Sequence, residues 1–327
     1  MAKTTFIKAL NAGLRKAMEE DEKVLLMGED IGKLGGVFRI TDGLQKDFGE
    51  ERVIDTPLAE SGILGTAIGM AMRGYRPVCE IQFDGFVYPA YDQIVSQLAK
   101  MHYRSQGKIK MPIVVRIPFG GGIGAVEHHS ESPEAYFAHT AGLKVVACSN
   151  PADGYTMIQQ AIRSDDPVIF LEPKRRYHEK AELDLDAVDL ASAYPLHQSR
   201  IVREGAGCTV VAYGPMVKTA LEAATAAEGE RDIEVIDLRT LSPLDLDPVY
   251  ASVQKTGRLV VVHEAPGNLG MGSEVAARVT ERCFYSLEAP VLRVTGFDTP
   301  YPAARVEEEY LPDLDRVLDA VDRTFSF

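Results

Sequence analysis

Phe6, Leu10, Leu14 and Met18 recur at helical spacing, so residues 6–18 read as a helix with one buried stripe. Beyond it the pattern changes to short apolar runs over residues 24–27, 78–83, 112–117, 144–148 and 168–171. Gly, Pro, Asn or Asp bounds each run, which predicts strands closed by turns. Helical patterns fill the gaps, notably residues 89–103 and 152–164. Strands apolar on both faces, alternating with helices, predict a parallel sheet covered on both sides.

The alternation lapses after Pro173. Residues 174–200 are polar, acidic and poorly periodic, and they read as a linker. A second alternation follows, with strands at 208–213, 233–238, 259–263 and 291–294. Helices are predicted at 217–227, 246–254 and 271–283, and a closing one at 307–325. The fold class is therefore α/β in two domains, each a mostly parallel sheet flanked by helices. The expected division is 1–185, a linker over 186–200, and 201–327. A chain of 327 residues suits two domains.

Formal charge is −13, from 35 basic against 48 acidic residues. That argues against nucleic acid or an acidic membrane as partner, since both call for a basic face. The four cysteines, Cys79, Cys148, Cys208 and Cys283, show no C-x-x-C spacing, so no zinc or redox motif is visible. No apolar stretch approaches a membrane span, and no charged-then-apolar leader pattern opens the chain. A reducing cytoplasmic compartment is expected. A mature mitochondrial-matrix chain would fit the same pattern.

The segment richest in candidate chemistry is Asp55-Thr56-Pro57-Leu58-Ala59-Glu60-Ser61-Gly62-Ile63-Leu64-Gly65. Thr56 can cap a helix and Pro57 suits its first position. Glu60 then falls in the first turn, where an ordinary Glu only complements the helix dipole. Gly62, Gly65 and Gly69 leave one face nearly bare, which admits another backbone or a flat ring.

This segment resembles the beta subunits of the 2-oxo acid dehydrogenases, which belong to the transketolase-like thiamine enzymes. Glu80-Ile81-Gln82-Phe83 and Tyr88-Pro89-Ala90-Tyr91-Asp92-Gln93-Ile94 extend the likeness. Glu127-His128-His129-Ser130-Glu131-Ser132-Pro133-Glu134-Ala135 and Val235-Ile236-Asp237-Leu238-Arg239-Thr240-Leu241-Ser242-Pro243 carry it across nearly the whole chain. The resemblance implies a pyrimidine-binding thiamine diphosphate domain, then a transketolase C-terminal-like domain for assembly and core docking. It implies that Glu60 hydrogen-bonds the aminopyrimidine ring and so promotes loss of the thiazolium proton. Phe86 falls where the family sets an aromatic ring against the pyrimidine. Leu58 and Gln82 are expected as a further apolar or backbone contact and a supporting hydrogen-bonder. His129 matches an active-site His that moves protons while a lipoyl disulfide accepts the acyl group. His139 is expected as a helix-end or core histidine without a chemical role. The family also implies a potassium site near Ile113, Ala161, Ile162, Ser164 and Asp166, although Ser164 replaces an acidic residue found in some relatives.

No Gly-Asp-Gly segment, Walker loop or complete Gly-x-Gly-x-x-Gly turn is present. The half that grips the diphosphate and Mg2+ is therefore expected on another chain, and the resemblance implies that this is an alpha partner in an assembly of two alpha and two beta chains. A lipoyl-bearing acyltransferase core completes the expected partners. The segment from His129 to His139 looks more like branched-chain enzymes than pyruvate enzymes, so a branched-chain 2-oxo acid is the expected substrate and pyruvate the alternative. An NAD-dependent oxidoreductase would need the missing dinucleotide fingerprint. A non-catalytic scaffold would be favoured by loss of the Glu60 and His129 positions, and both are present.

Overall fold

The structure is a computed structural model and describes residues 3–327. The first half runs β1 (Lys3–Thr5), α1 (Phe6–Glu20), β2 (Val24–Gly28), α2 (Leu44–Phe48), β3 (Val53–Asp55), α3 (Glu60–Met72) and β4 (Arg76–Glu80). It continues with α4 (Ala99–Arg104), β5 (Val114–Phe119), α5 (Glu134–Ala138), β6 (Lys144–Ala147), α6 (Pro151–Arg163), β7 (Val168–Pro173) and β8 (Lys180–Glu182). The second half runs β9 (Arg200–Arg203), β10 (Cys208–Ala212), α7 (Met216–Ala226), β11 (Ile233–Asp237), β12 (Thr240–Ser242) and α8 (Asp247–Thr256). It closes with β13 (Leu259–Pro266), α9 (Met271–Cys283), β14 (Leu292–Gly296), α10 (Glu307–Tyr310) and α11 (Leu314–Thr324).

The first large sheet has the order β12-β6-β7-β5-β4-β2-β3 and is parallel except for β12. The second has the order β14-β13-β10-β11-β9, with only β9 antiparallel. Helix α1 starts where the Thr5 side chain accepts from the Lys8 amide, and it buries Phe6, Leu10, Leu14 and Met18 as the spacing predicts. It packs on α6, whose start is capped by Asn150 accepting from the Asp153 amide. Gly13 permits that approach, because a Cβ there would lie 2.5 Å from the Ile158 side chain. One apolar core runs unbroken from Ile63 and Cys79 through Phe119 and Tyr213 to Val261 and Val279, so the two sheets share packing. All four cysteines are buried free thiols.

Several expectations need correction. The helix expected over 89–103 is a 3-10 turn at Asp84–Ala90, then a π-helical stretch at Gln93–Leu98, and only then α4. The closing helix is two helices. Pro312 supplies no amide donor, and Asp313 caps α11 by accepting from the Arg316 amide at 2.8 Å. Helix α3 starts at Glu60 rather than near Pro57, because the Thr56 amide still donates to Gly28 in the manner of a strand. Part of the polar stretch read as a linker is interior: Lys174, Arg176 and Tyr177 are buried, and β8 pairs with β1.

His263, within β13, is fully buried and accepts from the Gly272 amide through Nε2 at 3.1 Å. Burial holds it down at about 4, against an ordinary value of 6.5. Its folded pKa lies below its unfolded one, so unfolding takes up a proton between those two values. The stability it secures is complete above about pH 6.5 and is lost as pH falls toward 4. His263→Gln places an amide oxygen near the Nε2 position, so it keeps an acceptor for Gly272 and cannot protonate. The gap in thermal midpoint between wild type and variant should therefore narrow from pH 7 to pH 5 by the equivalent of about 1–2 kcal/mol. A gap independent of pH would refute this account.

Candidate functional site

β3 lies on one side of β2 and β4 on the other. Chain connections diverge there, and the crevice outside the carboxyl ends of such strands is where open α/β sheets bind ligands. Glu29 follows β2, Thr56 follows β3 and Gln82 follows β4, while Glu60 opens α3 above them. This end of the sheet holds unmet polarity. Glu29 Oε2 and Thr56 Oγ1 are buried without a hydrogen-bond partner. Glu60 is 6% exposed, and among the described residues its carboxylate has no hydrogen-bond or ion-pair partner. Burial, then the charges of Asp30 and Glu60, hold Glu29 above the ordinary carboxylate range. Two neighbouring acids short of donors form an acceptor site for N–H groups, and a ligand that brings them relieves the desolvation.

The surroundings suit a flat heterocycle. Gly62 and Gly69 lie exposed on α3, and a Cβ at Gly69 would meet nothing within 4 Å. Phe86 and Gln82 are half-buried, whereas Leu58 is 68% exposed at the mouth. Helix α3 packs on the 84–90 turn, which packs in turn on a 3-10 turn at Glu127–His129. Glu60, Gln82, Phe86 and His129 are thereby gathered at one end of the sheet.

His129 lies in a short turn of its own, separated from the next helix by residues 130–133. Pro133 leads into α5 without a side-chain cap, and His129 belongs to the earlier turn. Its ring stacks on Phe83 with centroids 3.9 Å apart and planes 8° from parallel, and it meets Phe86 edge-on at 5.2 Å. Nδ1 donates to the His128 carbonyl at 2.9 Å, a contact that leaves Nε2 as the ring nitrogen free to exchange a proton with other partners. His128 is exposed, with Nδ1 3.8 Å from Glu127. His139 caps the end of α5 at the surface and touches none of this.

Of the residues expected to hold potassium, two turn their carbonyls to Arg76. Its guanidinium donates to the carbonyls of Ile162 and Ser164 at 3.1 Å each. The Ile113 carbonyl accepts from Val168, Ala161 accepts from the Ser164 amide, and Asp166 pairs with Lys144 at 2.9 Å. Arg76 thus already places a cation on the Ile162 and Ser164 carbonyls, and Lys144 places another on Asp166. Among the described residues, no group of three or more His, Cys, Asp or Glu side chains is placed to hold a metal ion.

Sequence reading passed over Glu29, and it did not foresee that the Gly-rich loop after β5 is anchored across the domain junction. Glu264 Oε2 accepts from the Gly121 amide at 2.9 Å, and Glu264 Oε1 pairs with Arg175 at 2.9 Å. Glu307 accepts from the amides of Gly122 and Gly124. His263-Glu264 is thus structural at a strand end, and Glu264 also fastens the two halves together.

Two parallel sheets, the site at a switch point and a bare-faced helix opening on a lone Glu define a transketolase-like protein. Residues 2–180 match the family described as transketolase, pyrimidine binding domain, and residues 197–317 match transketolase, C-terminal domain. A solved structure described as split gene transketolase, inactive beta4 tetramer, superposes with a TM-score of 0.80 over 99% of both chains at 22% identity, a likeness of fold. The chain is 64% identical over 322 residues to pyruvate dehydrogenase E1 component subunit beta of Leifsonia xyli subsp. xyli, covering 98% of this chain and 94% of that one. It is 54% identical over 321 residues to 3-methyl-2-oxobutanoate dehydrogenase subunit beta of Mycobacterium tuberculosis, covering 98% and 91%. The chain belongs to the E1 beta subunits of the 2-oxo acid dehydrogenases.

Proposed function

We propose that this beta subunit, joined to an alpha subunit, oxidatively decarboxylates a branched-chain 2-oxo acid and passes the acyl group to a lipoyl arm. The observation that carries the reading is Glu60, a buried residue whose carboxylate has no partner among the described residues, close to Glu29, whose Oε2 is buried and unpaired at the end of β2. Thiamine diphosphate, which the family implies, supplies the electron sink for decarboxylation. Glu60 holds the pyrimidine nitrogen, Phe86 and Leu58 flank the ring, and Gln82 offers a supporting amide. His129, braced by Phe83 and Phe86, moves protons through Nε2. The alpha partner carries the diphosphate and Mg2+ half, in keeping with a sequence that lacks Gly-Asp-Gly. Two alpha and two beta chains would share the sites, and the second domain would dock the acyltransferase core. The exposed Leu269 (84%) and Phe297 beside the second sheet offer apolar surface for docking. Buried free thiols suit a reducing, cytoplasmic setting.

The segment around His129 and the 54% relative favour branched-chain substrates, and the 64% relative favours pyruvate. Turnover of 3-methyl-2-oxobutanoate and pyruvate by the chain alone and with an alpha subunit decides between them. The expected result is activity only in the pair, with the branched acid preferred about 10-fold or more in kcat/KM, a ratio within reach of pocket fit. Preference for pyruvate would establish the second reading, and full activity without alpha would sink the shared site.

A further inference from the structure

The backbone on either side of His129 is gripped by the turn that begins at Asp84. Asp84 Oδ2 accepts from the Glu131 amide at 2.9 Å. Its other oxygen pairs with Lys174, and both side chains are fully buried. Lys174 stands at the end of β7, with Nζ 3.4 Å from the Pro118 carbonyl at the end of β5. The pair thus ties two strand ends of the first sheet to the loop that carries His129. The next residue closes the grip: a Cβ on Gly85 would lie 2.3 Å from the His128 carbonyl oxygen. Phe83 and Phe86 hold the ring itself.

A buried ion pair is a poor device for stability alone, because desolvation offsets the attraction and apolar residues of similar volume often serve as well. Burial pushes Asp84 up to about 6 in spite of Lys174, which shows how strongly this site opposes the charge. What an apolar pair cannot supply is a fixed acceptor. The ammonium orients the Asp84 carboxylate, and the carboxylate holds the Glu131 amide two residues beyond His129. We propose that Asp84 and Lys174 are positioning residues that set the height and tilt of His129 over the site. The proposal rests on the reading of His129 as the proton-moving group during transfer to the lipoyl arm.

The test compares the wild-type chain with Asp84→Leu/Lys174→Met, each assembled with the alpha subunit. Turnover is read with a lipoyl domain and, separately, with an artificial electron acceptor. Amide exchange over residues 127–131 and the thermal midpoint are measured on the same samples. A group misplaced by about an ångström can cost up to ~100-fold in rate. The ratio of lipoyl-dependent to acceptor-dependent turnover should accordingly fall about 10-fold, with exchange over 127–131 at least ~10-fold faster and the midpoint little changed. A ratio and an exchange rate equal to wild type would overturn the proposal, as would equal losses in both rates that track a lowered midpoint. Gly85→Ala displaces the His128 carbonyl without touching the buried charges, so the same two readouts on that variant decide the matter if the double variant does not fold. Absence of lipoyl-dependent turnover in the wild-type pair would defeat the role given to His129. Exchange over 127–131 would then decide the positioning by itself.

Discussion

Glu60→Gln should cut thiamine-dependent turnover by about 10²–10⁴-fold in the assembled pair, the range expected when a positioned acid-base group is removed. The amide has nearly the shape of the carboxylate, and Glu60 makes no intrachain hydrogen bond or ion pair among the described residues, so the fold should not notice the change. What is lost is an anionic acceptor at the start of α3, where the helix end already favours negative charge. Neighbouring Glu29 is no substitute. It follows β2 rather than opening α3, and burial holds it above the ordinary carboxylate range. Steady-state rates of the reconstituted pair, with far-UV circular dichroism and gel filtration to verify fold and assembly, provide the measurement. Turnover within threefold of wild type in a correctly assembled variant would remove Glu60 from the mechanism.

Glu60 was legible because its surroundings are unusual along the chain: a Pro, an acid and then an apolar helix punctuated by glycines. The strands were legible for a similar reason. Runs such as Val114-Val115 and Val168-Ile169-Phe170-Leu171 are apolar on both faces, and only a sheet covered on both sides accommodates them. The missed features share a different cause. Lys174-Arg175-Arg176 looks like a solvated basic run, and it is drawn inward because Asp84 and Glu264 arrive from distant segments to pair with Lys174 and Arg175, while Glu179 pairs with Arg176 from the next turn. β12 is three residues long and has no apolar run of its own. Its pairing with β6 is decided by the packing of the two sheets, which periodicity does not encode. The start of α3 was misplaced for a local reason. Thr56 and Pro57 have the chemistry of a helix start, but the ladder from β3 continues through the Thr56 amide and postpones the helix to Glu60.

Arg116→Met should cost about 3–5 kcal/mol of stability, the usual penalty for breaking a buried charge cluster from one side. Arg116 lies on β5 and is 1% exposed. Nε and Nη2 grip Glu172 at 2.6 and 2.9 Å, and Nη1 reaches Glu80 at 2.7 Å. Tyr177 donates to Glu172 at 2.8 Å. One guanidinium thus serves two buried carboxylates, and burial already raises Glu80 above the ordinary range against the pull of Arg116. Methionine fills most of the volume and leaves both acids without their cation. For a chain of this size the midpoint should fall by roughly 6–20 °C, as ~2–4 °C per kcal/mol implies. The triple variant Glu80→Gln/Arg116→Met/Glu172→Gln separates lost charge from lost packing. With no charge left to bury, it should regain more than half of the loss, because neutral replacement of a buried cluster is often close to costless. A triple variant no more stable than Arg116→Met would mean that packing and hydrogen-bond geometry, rather than uncompensated charge, hold the middle of the sheet. The consequence reaches the site: Glu80 ends β4 two residues before Gln82, so a cluster that relaxes there loosens the floor on which Gln82, Phe83 and Phe86 stand.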